Sequence, residues 1–163
     1  MQFVTVNDDL VELIASYVEE WPGFLIDCGA GEGHLTEALV ADGLSVIAID
    51  VRPDGDLVLQ RDATGGLDGE VLGVKAWTWS AGMIPVIARP CHGGFASRVL
   101  KAAQAAGCVR ALYIGKAENV ADDLGEFEGE RLTEWCGKDG EDVYEVLLVA
   151  GTKNEELKGN EDD

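Results

Sequence analysis

Histidine and methionine occur twice each, proline four times, and basic side chains only 12 times in 163 residues. Two histidines, His34 and His92, and no cysteine pair at CxxC spacing exclude the common zinc and dithiol motifs. No acidic run has EF-hand spacing either, so no metal is expected. The apolar stretches are strand-length, well short of the ~20 residues that cross a bilayer. No basic segment leads into an apolar core near Met1, so neither a secretory signal nor a membrane partner is expected. Twelve Lys and Arg stand against 31 Asp and Glu, a formal net charge of −19. Nucleic-acid affinity comes largely from cations that displace counterions, and the cations here are scattered singly, which disfavours DNA or RNA as a partner.

Apolar residues make up 47% of the chain. A domain of this size buries roughly 70% of its unfolded surface, enough for a core without disulfides or structural metal. Of the four cysteines, Cys28 and Cys108 lie beside predicted strands, where Cys acts as a small buried hydrophobe. Cys91 and Cys136 complete the set, and reduced thiols in a cytoplasmic protein are expected. The acidity serves solubility or adaptation to high salt, or else forms a surface that mimics nucleic acid or docks on a basic protein.

Periodicity gives the elements. Asn7 suits an N-cap, Asp8 and Asp9 a first turn, and Leu10, Leu13, Ile14, Tyr17, Val18 and Trp21 form one helical face that Pro22-Gly23 ends. Phe24 to Ile26, Val46 to Asp50, Leu57 to Leu59, Ile84 to Ala88 and Val109 to Ile114 read as short buried strands. Helices are predicted from about His34 to Ala41 and from Gly94 to Ala106, with Gly107 as a stop. Arg131 to Cys136 and Val143 to Ala150, flanking Lys138-Asp139-Gly140, predict a terminal hairpin. Strands alternating with helices imply an α/β fold with a doubly wound parallel sheet. Residues 1–152 form the predicted domain, and the polar, acidic 153–163 a loose tail.

The strongest local signal is Phe24-Leu25-Ile26-Asp27-Cys28-Gly29-Ala30-Gly31-Glu32-Gly33, a strand, a tight glycine turn and the start of a helix. This order brings backbone close to a ligand. A dinucleotide fingerprint, GxGxxG, needs glycine where His34 stands. Asp27, directly before the loop, would repel a pyrophosphate but attract the positively charged amino end of S-adenosylmethionine. The ten residues resemble motif I of the class I S-adenosylmethionine-dependent methyltransferases.

That resemblance implies a three-layer α/β/α sandwich with strand order 3-2-1-4-5-7-6 and an antiparallel hairpin at the end, over about residues 7–150. It implies S-adenosylmethionine or S-adenosylhomocysteine as cofactor. Asp27, Cys28, Gly29, Ala30, Gly31 and Gly33 would hold its amino-acid end. Asp50, with Val51 after it, would receive the ribose hydroxyls, and Asp62 and Ala63, in Arg61-Asp62-Ala63, the adenine.

On the methyl-facing side the family pattern is absent. Ala88-Arg89-Pro90-Cys91-His92-Gly93 stands where nucleic-acid amino methyltransferases place (Asn/Asp)-Pro-Pro-(Tyr/Phe). Arg89 can grip an anionic substrate and His92 can take a proton, so these two are the candidate catalytic residues. Cys91 is a weaker candidate, His34 lines or caps the cofactor loop, and Trp77 and Trp79 pack or stack on a flat substrate. With no inserted recognition domain, three readings of the acceptor remain. They are a small molecule or protein side chain, a partner subunit or second copy that completes the site, and a catalytically silent cofactor-binding or acidic interaction module.

Overall fold

The computed structural model describes residues 6–65, 73–90, 94–132 and 140–149. Helix α1 (Asp8–Glu20) starts where the Asn7 side chain accepts from the Leu10 N–H at 2.9 Å, and it buries Leu10, Ile14 and Tyr17. Strand β1 (Phe24–Cys28) and helix α2 (His34–Ala41) follow, then β2 (Val46–Asp50), β3 (Val58–Gln60) and β4 (Met83–Ala88). Helix α3 (Phe95–Ala105) leads to β5 (Arg110–Lys116), α4 (Ala117–Leu124), β6 (Gly129–Arg131) and β7 (Glu141–Leu147). The sheet order is β3-β2-β1-β4-β5-β7-β6, the order that the resemblance implies. β1 to β5 pair in parallel, whereas β7 runs antiparallel to both β5 and β6.

A parallel sheet is covered on both faces, which explains why its strands read as nearly continuous apolar runs. Successive residues of a strand serve opposite layers. Leu25 packs with Leu10 and Ile14 of α1 and Leu35 and Leu39 of α2. Ile26 and Cys28 pack instead with Val99, Leu100 and Ala103 of α3 and Leu124 of α4. α1 is also tied to the far strands, because the Tyr17 hydroxyl donates to Glu145 Oε2 at 2.5 Å. Arg110 Nη1 lies 3.0 Å from the same oxygen, and its guanidinium sits 4.0 Å over the Trp21 ring.

Two strand crossovers differ from the simplest alternation. Among the described residues, neither the β2–β3 link nor the β3–β4 link contains a helix. In the second link the described stretches, 61–65 and 73–82, are tied together. Asp62 bridges Ala76 in parallel, Trp79 Nε1 donates to the Ala63 carbonyl at 2.8 Å, and the Trp77 ring meets Trp79 edge-on at 6.4 Å.

The strand expected at 57–59 lies one residue later, and the last strand begins at Glu141 rather than Val143. The hairpin partner is Gly129–Arg131, not Arg131 to Cys136, whose remaining residues beyond Leu132 lie outside the described residues. The expected tail from 153 also lies outside them. No described helix is long and apolar enough to cross a membrane.

Candidate functional site

The carboxyl ends of β1 and β2 are neighbours in register, Cys28 opposite Ile49, so the loop after β1 meets the end of β2. Gly29 (φ +73°), Gly31 (φ +59°) and Gly33 (φ +86°) all adopt the left-handed conformation that favours glycine. The Gly29 and Ala30 N–H groups donate to the Ile49 carbonyl at 2.9 and 3.1 Å, folding the loop over β2. Asp50 holds it there. Its Oδ2 accepts from the Gly31 N–H at 2.9 Å and its Oδ1 from the Arg52 N–H at 2.8 Å.

Asp27 lies beneath the loop, 3% exposed, and accepts the Thr36 hydroxyl at 2.8 Å. Burial pushes its pKa up to about 6; the Thr36 bond opposes this and the nearby Asp50 charge adds to it. Cys28 is buried too, its thiol donating to the Ile26 carbonyl at 3.3 Å, and burial holds that thiol well above the ordinary range. At this position the chain can offer a ligand backbone rather than a thiolate.

The third acidic position follows β3. Asp62 is 1% exposed, and its Oδ1 accepts from the Thr64 N–H (2.9 Å) and hydroxyl (2.7 Å). Its Oδ2 is buried and has no hydrogen-bond partner among the described residues. Ala63 is buried beside it. Val51, half-buried, uses its carbonyl to accept from Gln60 Nε2 at 3.1 Å. An unsatisfied buried acceptor calls for a missing donor, and an exocyclic amine such as that of adenine is one. The acceptors along this edge therefore fit the donors of an adenosyl group.

Arg89 follows β4 with φ +49°, a left-handed conformation that a non-glycine residue adopts at some cost. Its N–H donates to the Ile114 carbonyl at 2.8 Å. Its guanidinium is buried, with Nη1 3.8 Å from Glu141 Oε2, itself at the start of β7. Cys91 and His92 lie outside the described residues. His34 faces solvent and its Nε2 is 2.5 Å from Glu32 Oε2. Trp79 is buried and Trp77 half-buried against the α3 layer. Thr36, Glu141 and Asp142 join the edge without a sequence signal, because only the fold brings them there.

No protein-family model matches the chain, and no curated protein sequence is significantly similar to it. Solved structures are similar in shape. The putative methyltransferase YhhF of Escherichia coli superposes with a TM-score of 0.58 at 12% identity, over 92% of each chain. The 23S rRNA methyltransferase ErmE gives 0.53 at 15% identity, over 91% of this chain and 70% of its own. Magnesium protoporphyrin IX methyltransferase of Synechocystis PCC 6803, solved with bound S-adenosylmethionine, gives 0.51 at 13%, over 85% and 78%. The chain has the class I methyltransferase fold.

Proposed function

We propose that this chain binds S-adenosylmethionine and transfers its methyl group to a small molecule or a protein side chain. The observation that carries the cofactor is the unsatisfied Oδ2 of Asp62, on the same sheet edge as the glycine loop and Asp50. Asp27 and Gly29 to Gly33 take the amino-acid end, Asp50 the ribose, and Asp62 with Ala63 the adenine. Each Asp50 oxygen, accepting one backbone N–H, has a lone pair left for a ribose hydroxyl. The buried Asp27 charge favours a ligand with a cationic amino end. When bound, the cofactor supplies the activated methyl group.

His92 is the proposed proton acceptor. Arg89, engaged with Glu141, orders the edge on which the acceptor sits. ErmE acts on 23S rRNA, but 31 acidic against 12 basic residues would repel such a substrate here. A protein partner or a second copy is proposed to complete the acceptor side, and the absence of cysteine motifs suits a cytoplasmic setting.

Calorimetry with S-adenosylmethionine, S-adenosylhomocysteine and NAD tests the reading. Heat with the first two and none with NAD is expected. Silence with all three overturns the cofactor assignment. Binding without methyl transfer to any acceptor would leave a cofactor-binding module.

A further inference from the structure

Beyond β4, the same sheet edge carries an unexplained buried carboxylate. β7 begins with Glu141 and Asp142, 1% and 8% exposed. The antiparallel register sets Glu141 beside Lys116 and Asp142 beside Gly115, at the carboxyl end of β5. Glu141 faces Arg89. Asp142 Oδ2 accepts from Arg131 Nη1 at 3.3 Å, but Asp142 Oδ1 is buried and has no hydrogen-bond partner among the described residues.

The surroundings are built rather than loose. A β-carbon at Gly115 would lie 2.5 Å from the Tyr113 hydroxyl, so the phenol occupies the space that a side chain opposite Asp142 would need. That hydroxyl donates to Asp123. Its proton is therefore committed elsewhere, and it leaves Asp142 Oδ1 unsatisfied. Open α/β sheets keep their sites outside the carboxyl ends of the strands, where Asp142 stands. Three strand spacings of about 4.8 Å put it roughly 14 Å across the sheet from β1 and the glycine loop. A bound cofactor with an acceptor molecule beside it spans that distance.

We propose that Asp142 Oδ1 docks the methyl acceptor and that the acceptor presents a protonated amine. The inference rests on the methyltransferase reading above. An orphaned carboxylate oxygen needs a donor, and an ammonium supplies both the N–H and the opposite charge. A carboxylate or phosphate would instead meet the Asp142 charge, whose cation Arg131 is already engaged with Asp142 Oδ2.

The test is a ¹H–¹⁵N titration of the full chain, with S-adenosylhomocysteine present. Ethylammonium chloride is the cationic probe, sodium acetate the anionic one, and potassium chloride at matched ionic strength the blank. Ethylammonium is expected to shift the Gly115 and Asp142 amides saturably. Asp142→Asn, which keeps the side-chain shape, is expected to raise the apparent Kd at least tenfold, and Asp142→Ala to abolish the response. An equal response in Asp142→Asn, or a saturable response of the same amides to acetate, overturns the proposal. S-adenosylhomocysteine binding with no ethylammonium response removes this inference alone. An Asp142-dependent ethylammonium response without S-adenosylhomocysteine binding keeps the amine site and removes the methyltransferase reading.

Discussion

Replacing Asp27 with asparagine is expected to stabilise the unliganded protein at neutral pH. The carboxyl is 3% exposed, and burial raises its pKa from the ordinary 3.8 to about 6. Between those values the native state binds more protons than the unfolded chain. Stability therefore falls as pH rises through this window and stays at the reduced level above it. At about 1.4 kcal/mol per pH unit, the full difference is about 3 kcal/mol. Asparagine keeps an acceptor for the Thr36 hydroxyl, which donates to Asp27 at 2.8 Å, and carries no charge. The variant should gain about 3 kcal/mol at pH 8 but only about 1.6 kcal/mol at pH 5. Urea unfolding at those two pH values measures both gaps and avoids the sequence pI near 4.2. A gap that does not widen with pH, or a variant less stable than wild type at pH 8, refutes the reasoning. The same variant should bind S-adenosylmethionine more weakly, because a buried charge kept at such a cost marks a functional position.

Asp50→Ala is expected to lose about 1.5–3 kcal/mol of S-adenosylhomocysteine affinity by calorimetry, the range for hydrogen bonds to a charged group. The Gly31 N–H, which donates to Asp50 at 2.9 Å, should then exchange faster with solvent, and unchanged affinity would remove Asp50 from the site. Gly33→Ala should cost about 1–3 kcal/mol of stability for its backbone alone. Its φ is +86°, and the new β-carbon would also lie 3.2 Å from Leu57 Cδ2 and Val58 Cγ2. A thermal melt reads this loss, and an unchanged Tm would contradict the turn geometry. Cys28 should resist iodoacetamide at pH 8 in the folded protein and react in urea, because burial both covers the thiol and raises its pKa. Mass spectrometry of the labelled peptide decides, and modification of native Cys28 would contradict its placement.

The sequence by itself determined the elements whose signals are local. Asn7 before an apolar helical stripe, the glycine turn after Ile26, and the short apolar strands each follow from a residue's conformational preference or a fixed repeat. Motif I and the acids at 27, 50 and 62 then pointed to the fold and to the cofactor edge. Two short elements went unread. α4 fully buries only Leu124, and its apolar stripe of Ala117, Val120, Ala121 and Leu124 spans just two turns among acidic residues, while β6 is three residues long with none buried. Only the tertiary structure decided the partners of the charged groups. Arg89 and Glu141 meet because β7 lies beside β5 in one register, and Asp27 finds Thr36 because α2 folds back over β1. Such pairings depend on which chain segments are buried together. A buried polar group takes whatever partner that packing brings within reach, and no local spacing in the sequence encodes it.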